Sequence, residues 1–256
     1  MGLVEGAVRA AGVSPGASPP LESARPGRIL VTGFEPFDGH ALNVSWEVAR
    51  ALDERVLAST SSGQTAQIAA VRLPCRFGAC ITELAGTLSR IRPTHVLCLG
   101  QAEGRPDITV ERVALNLRDA RIADNAGYAP IDEPVVDGGP YAYPSGLPVR
   151  GLTSHLRREG YPVSVSNSAG TFVCNDLFYG LMHAIQNTAL VAGFIHLPIL
   201  PSQRRLAAAR SESRDDAPHG FDAATPALAL DVQVAAIEAA LKWLMRSLDP
   251  EAVDVA

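Results

Sequence analysis

Short, uninterrupted apolar runs separated by segments of helical spacing are what most constrain this chain. Residues 28–32 (Arg-Ile-Leu-Val-Thr), 95–99 (His-Val-Leu-Cys-Leu) and 190–197 are such runs, each stopped by Gly or Pro. A strand that is apolar all along its length needs cover on both faces, as in a parallel sheet. Between the runs, residues 77–91 place Cys80, Ile81, Leu84 and Leu88 on one helical face. Strands are expected at 28–32, 66–73, 95–99, 110–117, 162–166 and 190–197. Helices are expected at 46–52, 77–91, 147–158, 172–186 and 224–248. This alternation predicts an α/β chain folded as a single three-layer α/β/α domain with a mostly parallel, mixed central sheet.

No internal repeat interrupts the pattern. A length of 256 residues suits one such domain, expected over 27–256. Residues 1–26, rich in Ala, Gly, Pro and Ser, read as a flexible extension. Residues 119–144 form a long Gly/Pro/Asp-rich connection, of the kind that usually serves function or assembly. Residues 202–222 are polar and charged and read as mobile.

Charge and cysteine content exclude several partner classes. A net charge of −5, with no Lys/Arg cluster beyond the pairs Arg157-Arg158 and Arg204-Arg205, argues against nucleic acid and anionic membranes. The apolar runs are too short to span a bilayer, and the first residues lack the pattern of a secretory signal. Four cysteines in 256 residues are too few for a disulfide framework. A cytoplasmic protein with reduced thiols is expected, in which the sequon Asn43-Val-Ser45 has no role.

The chemistry points to one of those thiols. Ser168-Ala-Gly-Thr-Phe-Val-Cys174-Asn-Asp176 lies where a strand gives way to a helix. A helix start offers unpaired N–H groups and the positive end of the macrodipole, both favouring the nucleophilic thiolate. A thiol nucleophile needs a base, and the base needs an orienting group. His196, at the end of a buried strand, is the best base; His40, His95, His155, His183 and His219 are less well placed. Glu111, inside the apolar stretch 108–115, is the candidate orienter, because a carboxylate there is costly without a partner. The structural alternatives stand beside these. Cys174 can be a small core hydrophobe, His196 a satisfied core histidine, and Glu111 a partner of Arg112. A zinc site from Cys75, Cys80, His95 and Cys98 is disfavoured, since it lacks a paired knuckle. No metal or cofactor is expected.

Several blocks, taken in order, resemble pyroglutamyl peptidase type I, the pyrrolidone-carboxylate peptidase family of cysteine peptidases. They are Gly33-Phe-Glu-Pro-Phe37 with Asn43, Gly100-Gln-Ala-Glu-Gly-Arg105 with Glu111-Arg-Val-Ala114, and Asp124-Asn-Ala-Gly127. Ser168 to Asn175 and Gly193-Phe-Ile-His196-Leu-Pro198 complete the set. The resemblance covers 28–248 and implies a phosphorylase/hydrolase-like fold. It implies a Cys174, His196, Glu111 triad that removes an N-terminal pyroglutamyl residue from peptides. The backbone N–H of Cys174 and the Arg121 side chain are the implied oxyanion donors. For the flat, neutral lactam ring, Phe34 and Phe37 are the implied sandwich, with Ile122, Phe172 and Val173 completing the wall. Asn43 and Gln101 are suited to hydrogen-bond the lactam or nearby backbone. Relatives often assemble as tetramers, so a homo-oligomer (dimer or tetramer) is expected.

The chain departs from the family pattern at Cys75, at Asp38 and in the length of 203–222. None of these touches the triad. Two other readings remain: a phosphorylase-like transferase and a small-ligand binding protein that keeps the fold without the activity. The first lacks a Gly-rich phosphate loop, and an intact triad argues against the second.

Overall fold

The apolar runs become the middle of a seven-stranded sheet. A computed structural model describes residues 27–58, 63, 65–204 and 225–246. The strands are β1 (Gly27–Phe34), β2 (Val56–Ala58), β3 (Thr65–Leu73), β4 (His95–Gln101), β5 (Ile108–Glu111), β6 (Val113–Leu115), β7 (Ala142–Pro144), β8 (Val163–Ser166) and β9 (Val191–Leu197). The helices are α1 (Val44–Leu52), α2 (Ala79–Ile91), α3 (Val149–Arg158), α4 (Val173–Ala184) and α5 (Leu230–Arg246). The main sheet runs β2-β3-β1-β4-β9-β5-β8, and β6 pairs with β7 in a separate ribbon. Pairings of β1 with β3 and β4, of β4 with β9, and of β5 with β8 are parallel. The β2–β3 and β5–β9 pairings are antiparallel, so the sheet is mixed.

Period-two alternation divides the central strands between two cores. Ile29, Val31, Leu97, Leu99, Ile195 and Leu197 pack with α1, α3 and α5. Leu30, Val96, Cys98, Ala192 and Phe194 face α2 and α4. This is the expected three-layer arrangement. His196 follows Phe194 by two residues and shares the α2/α4 face. Ile108 and Val110 belong to the first core, which turns Thr109 and Glu111 to the same face as His196.

Helix α1 is fixed to β1 by a close contact. Asn43 caps the helix through its side chain, which accepts from Ser45 N, and Ser45 Oγ accepts from Phe34 N at 2.9 Å. A Cβ on Gly33 would lie 2.4 Å from the Ser45 carbonyl oxygen, so only glycine lets the elements approach this closely.

Four expectations change. The single strand expected at 110–117 is two strands in different sheets, broken at Arg112. Arg112 N bonds Ser166 O and Arg112 O accepts from Ser145 N, after which the chain leaves the sheet to pair with β7. Strand β7 itself lies within the connection read as irregular. Edge strand β2 is short, with only Leu57 buried, and carries too little pattern to be seen. The closing helix begins at Leu230 and not at 224, because the preceding residues bond back to the end of β9. Leu228 N donates to Ile199 O, and the buried Gln233 Nε2 holds Pro198 O at 3.1 Å and Leu228 O at 2.8 Å. The extension 1–26 and most of the charged 202–222 segment lie outside the described residues.

Candidate active site

Cys174 is the second residue of α4, following Val173 and the N-cap Phe172. It alone among the four free cysteines is partly exposed, though still mostly buried; Cys75, Cys80 and Cys98 are buried. The next two residues anchor this first turn. Asn175 Oδ1 accepts from Leu115 N, and Asn175 Nδ2 donates to Leu115 O and Leu117 O, each at 2.9 Å. Asp176 accepts from Gly78 N at 2.7 Å and from Arg118 Nε at 2.6 Å. Both side chains are fully buried, which an apolar helix start does not call for. Their role is to pin the cysteine-bearing turn to β6 and to the approach to α2.

Two of the candidates, His196 and Glu111, meet across the antiparallel β5–β9 pair. Thr109 is the register partner of His196, and Glu111 lies two residues further along the same face. Glu111 Oε1 sits 2.8 Å from His196 Nδ1, with Glu111 0 % and His196 3 % exposed. Arg105, in the Gly100–Arg105 block but given no role from the sequence, reaches the same oxygen: its Nη1 lies 2.6 Å from Glu111 Oε1. Glu111 Oε2 is buried with no hydrogen-bond partner. The bulk of the Phe194 ring, 4.9 Å from the imidazole centroid, closes one side of His196.

Electrostatics set the resting protonation. Burial alone would raise the Glu111 carboxyl, but the His196 hydrogen bond and charge, with help from Arg105, hold it below the usual carboxylate value. Burial lowers His196, only partly countered by Glu111, so its ring is neutral at rest. The thiol departs from expectation. Burial and then the Glu111 charge push Cys174 up to about 12, against the opposing pull of Arg105. Dehydration thus opposes the helix start, and these influences favour a protonated thiol and a neutral imidazole at rest.

The remaining candidates separate into wall and scaffold. Phe37 is half-buried, with ring centroids 6.0 Å from Phe172 and 6.1 Å from His40. Phe172 meets Phe77 edge-on at 5.3 Å, and Phe77 meets Tyr128 at 6.0 Å. Phe77 and Tyr128 were not anticipated, and nothing in their sequence setting marks them. Ile122 is half-buried near this group in sequence, whereas Phe34 and Val173 are 1 % and 0 % exposed and belong to the α2/α4 core. Asn43 donates to Glu35 O in addition to capping α1. Gln101 Oε1 accepts from Val44 N at 3.1 Å and from Gln203 Nε2 at 2.9 Å, so both amides hold nearby backbone and loops. Arg121 is exposed and makes no described hydrogen bond or ion pair. Of the set once weighed for zinc, Cys80 lies beside Asp176 and His95 contacts Thr94. Among the described residues, no group of three or more His, Cys, Asp or Glu side chains is placed to hold a metal ion.

A buried Glu–His pair and a partly exposed thiol at a helix start, on a mixed α/β sheet, are the kinds of group that cysteine-type hydrolysis requires. The family model described as pyroglutamyl peptidase matches residues 27–247. The pyrrolidone-carboxylate peptidase of Chromobacterium violaceum is 53% identical over 175 residues, covering 68% of this chain and 79% of that one. That of Bacillus cytotoxicus is 48% identical over 180 residues, 70% and 81% of the two chains. Among solved structures, pyroglutamyl peptidase I of Bacillus amyloliquefaciens superposes with a TM-score of 0.71 at 38% identity, covering 84% of this chain and 95% of its own. Pyrrolidone carboxyl peptidase of Thermococcus litoralis gives 0.76 at 35% identity, covering 90% and 98%. The chain belongs to the pyroglutamyl peptidase family of cysteine peptidases.

Proposed function

We propose that this chain hydrolyses the amide bond that follows an N-terminal pyroglutamyl residue, with Cys174 as nucleophile, His196 as base and acid, and Glu111 as orienter. The observation that supports it most is the fully buried Glu111 Oε1···His196 Nδ1 contact of 2.8 Å beside the cysteine-bearing turn. An ionised Glu111 accepts from Nδ1–H, which fixes the tautomer and leaves Nε2 free to take a proton. As the substrate carbonyl approaches Cys174, the thiol proton passes to Nε2 and the sulfur attacks the carbonyl carbon. The proton then goes to the leaving amine, and His196 activates a water to release pyroglutamate from the thioester.

Developing negative charge on the carbonyl oxygen needs fixed donors. The Cys174 N–H is one, since the first turn of a helix has no internal acceptor for it. Arg121, exposed and without a described side-chain partner, is the proposed second. Phe37 and Phe172, with Phe77 behind, offer a flat apolar surface for the uncharged lactam, and Ile122 is the proposed border. Phe34 and Val173 support that wall from the core. Asn43 and Gln101 hold the loops that shape it.

Self-association as a dimer or tetramer is supported by apolar side chains exposed in the 119–144 connection, with Ile131 77% and Tyr141 96% exposed. A cytoplasmic location is supported by four unpaired cysteines. Among the described residues no helix is long and apolar enough to cross a membrane. The decisive assay is release of a chromogenic amine from a pyroglutamyl amide under reducing conditions. Activity is expected in the wild type and lost in Cys174→Ala; an inactive wild type or an active variant overturns the assignment.

A further inference from the structure

Arg105 stands outside the triad, yet it touches three separate parts of the site. Its Nη1 lies 2.5 Å from Thr109 Oγ1 and 2.6 Å from Glu111 Oε1, and its Nη2 lies 3.1 Å from the backbone oxygen of Ser168. Thr109 faces His196 in register, and Ser168 opens the loop that leads into Cys174. We propose that Arg105 is a positioning residue that sets the rotation of the Glu111 carboxylate and ties it to the nucleophile loop. This rests on the triad reading given above.

The geometry requires some such device. Glu111 Oε2 has no hydrogen-bond partner, so the donors at Oε1 chiefly fix the plane of the carboxylate, with the Ser166 hydroxyl close enough to favour its charged form. One of them is the imidazole that the carboxylate is meant to orient, and the other is Arg105. Without the guanidinium, the carboxylate would keep only the imidazole and the weaker influence of the Ser166 hydroxyl, leaving carboxylate and ring freer to pivot together. A planar fork that serves side chains and a carbonyl at once is a task for arginine; a lysine ammonium supplies the charge without the fixed directions. The same positive charge opposes protonation of His196 and favours the Cys174 thiolate.

Two variants separate geometry from charge. In Arg105→Gln both are lost: kcat is expected to fall about 10²-fold, the size of effect produced by small misplacement of a catalytic group. KM should change little, and the acid limb of kcat/KM should move to higher pH. The alkylation profile of Cys174 should move the same way. In Arg105→Lys the fall in kcat should remain while both profiles keep their wild-type positions. A merely structural role would lower the melting temperature and leave the pH profiles of the folded fraction unmoved, overturning the proposal. So would wild-type kcat in Arg105→Gln. If Arg105→Gln does not fold, Arg105→Lys decides by its kcat. Glu111→Gln runs in parallel. If it keeps full activity, the triad reading fails; if it is inactive while Arg105→Gln is normal, only the present proposal fails.

Discussion

Gly100 and His196 are direct partners across β4 and β9, and a Cβ on Gly100 would sit 2.9 Å from His196 Cδ2. The same atom would lie 2.8 Å from two carbons of the Phe194 ring. Both rings are buried in a central strand and have little room to yield. Gly100→Ala therefore pushes on the imidazole itself. Overpacking of this kind costs about 1–3 kcal/mol of stability, and kcat should fall roughly 10²-fold through displacement of the base. Steady-state kinetics beside a thermal melt check this; unchanged kcat would mean that the ring position is not critical.

The acid limb of activity follows from the neutral resting imidazole. Burial disfavours the charged ring, so His196 loses its proton at a lower pH than a free imidazole and is neutral, as the proposed base must be, in the neutral range. The acid limb of kcat/KM should thus lie below about 6.5, the unperturbed value. A limb at or above that value would indicate a ring charged at rest.

Alkylation reports the thiol directly. With Cys174 pushed up to about 12, its rate of reaction with iodoacetamide should climb through the neutral range. It should show no plateau below the unperturbed thiol value of about 8.5. A plateau already present in mild acid would reveal a preformed thiolate–imidazolium pair.

Glu111→Gln replaces an acceptor by a group that can donate to Nδ1 and select the wrong tautomer. The equivalent change in a serine-protease triad lowers kcat about 10⁴-fold, and a comparable loss with little change in KM is expected here. Titration of kcat against a pyroglutamyl amide gives the answer. Activity within tenfold of wild type would remove Glu111 from the mechanism.

Asn175→Ala tests the anchoring of the nucleophile turn. The change leaves Leu115 N and O and Leu117 O without their partner, at a cost of about 2–4 kcal/mol. Urea unfolding measures the loss. A loss below about 0.5 kcal/mol, the scatter of ordinary surface substitutions, would show that water replaces the amide.

The central strands, the helices beside them and the Cys174, His196 and Glu111 candidates were legible because apolar runs and buried polar exceptions are local signals. Other features were not local. The break at Arg112 depends on Ser145 and Ser166, which lie far along the chain, and no residue at 110–117 marks it. Arg105 looks like any loop arginine until β5 and the Ser168 loop are brought beside it. Asn43 and Gln101 were legible as hydrogen-bonding residues, but their partners were not. The surroundings of the thiol were not legible either. Sequence shows the helix start, whereas dehydration and the distance to Glu111 exist only in three dimensions.

The Asn43 cap has a consequence for biosynthesis. Asn43-Val-Ser45 satisfies the glycosylation sequon, yet in the folded chain Asn43 is 2 % exposed and its amide nitrogen is bonded to Glu35 O. If the chain were routed through a eukaryotic secretory lumen, the oligosaccharide could be attached only before α1 docked on β1. Glycan occupancy at this asparagine would then act as a stopwatch, recording how often the sugar transferase arrived before folding closed the site.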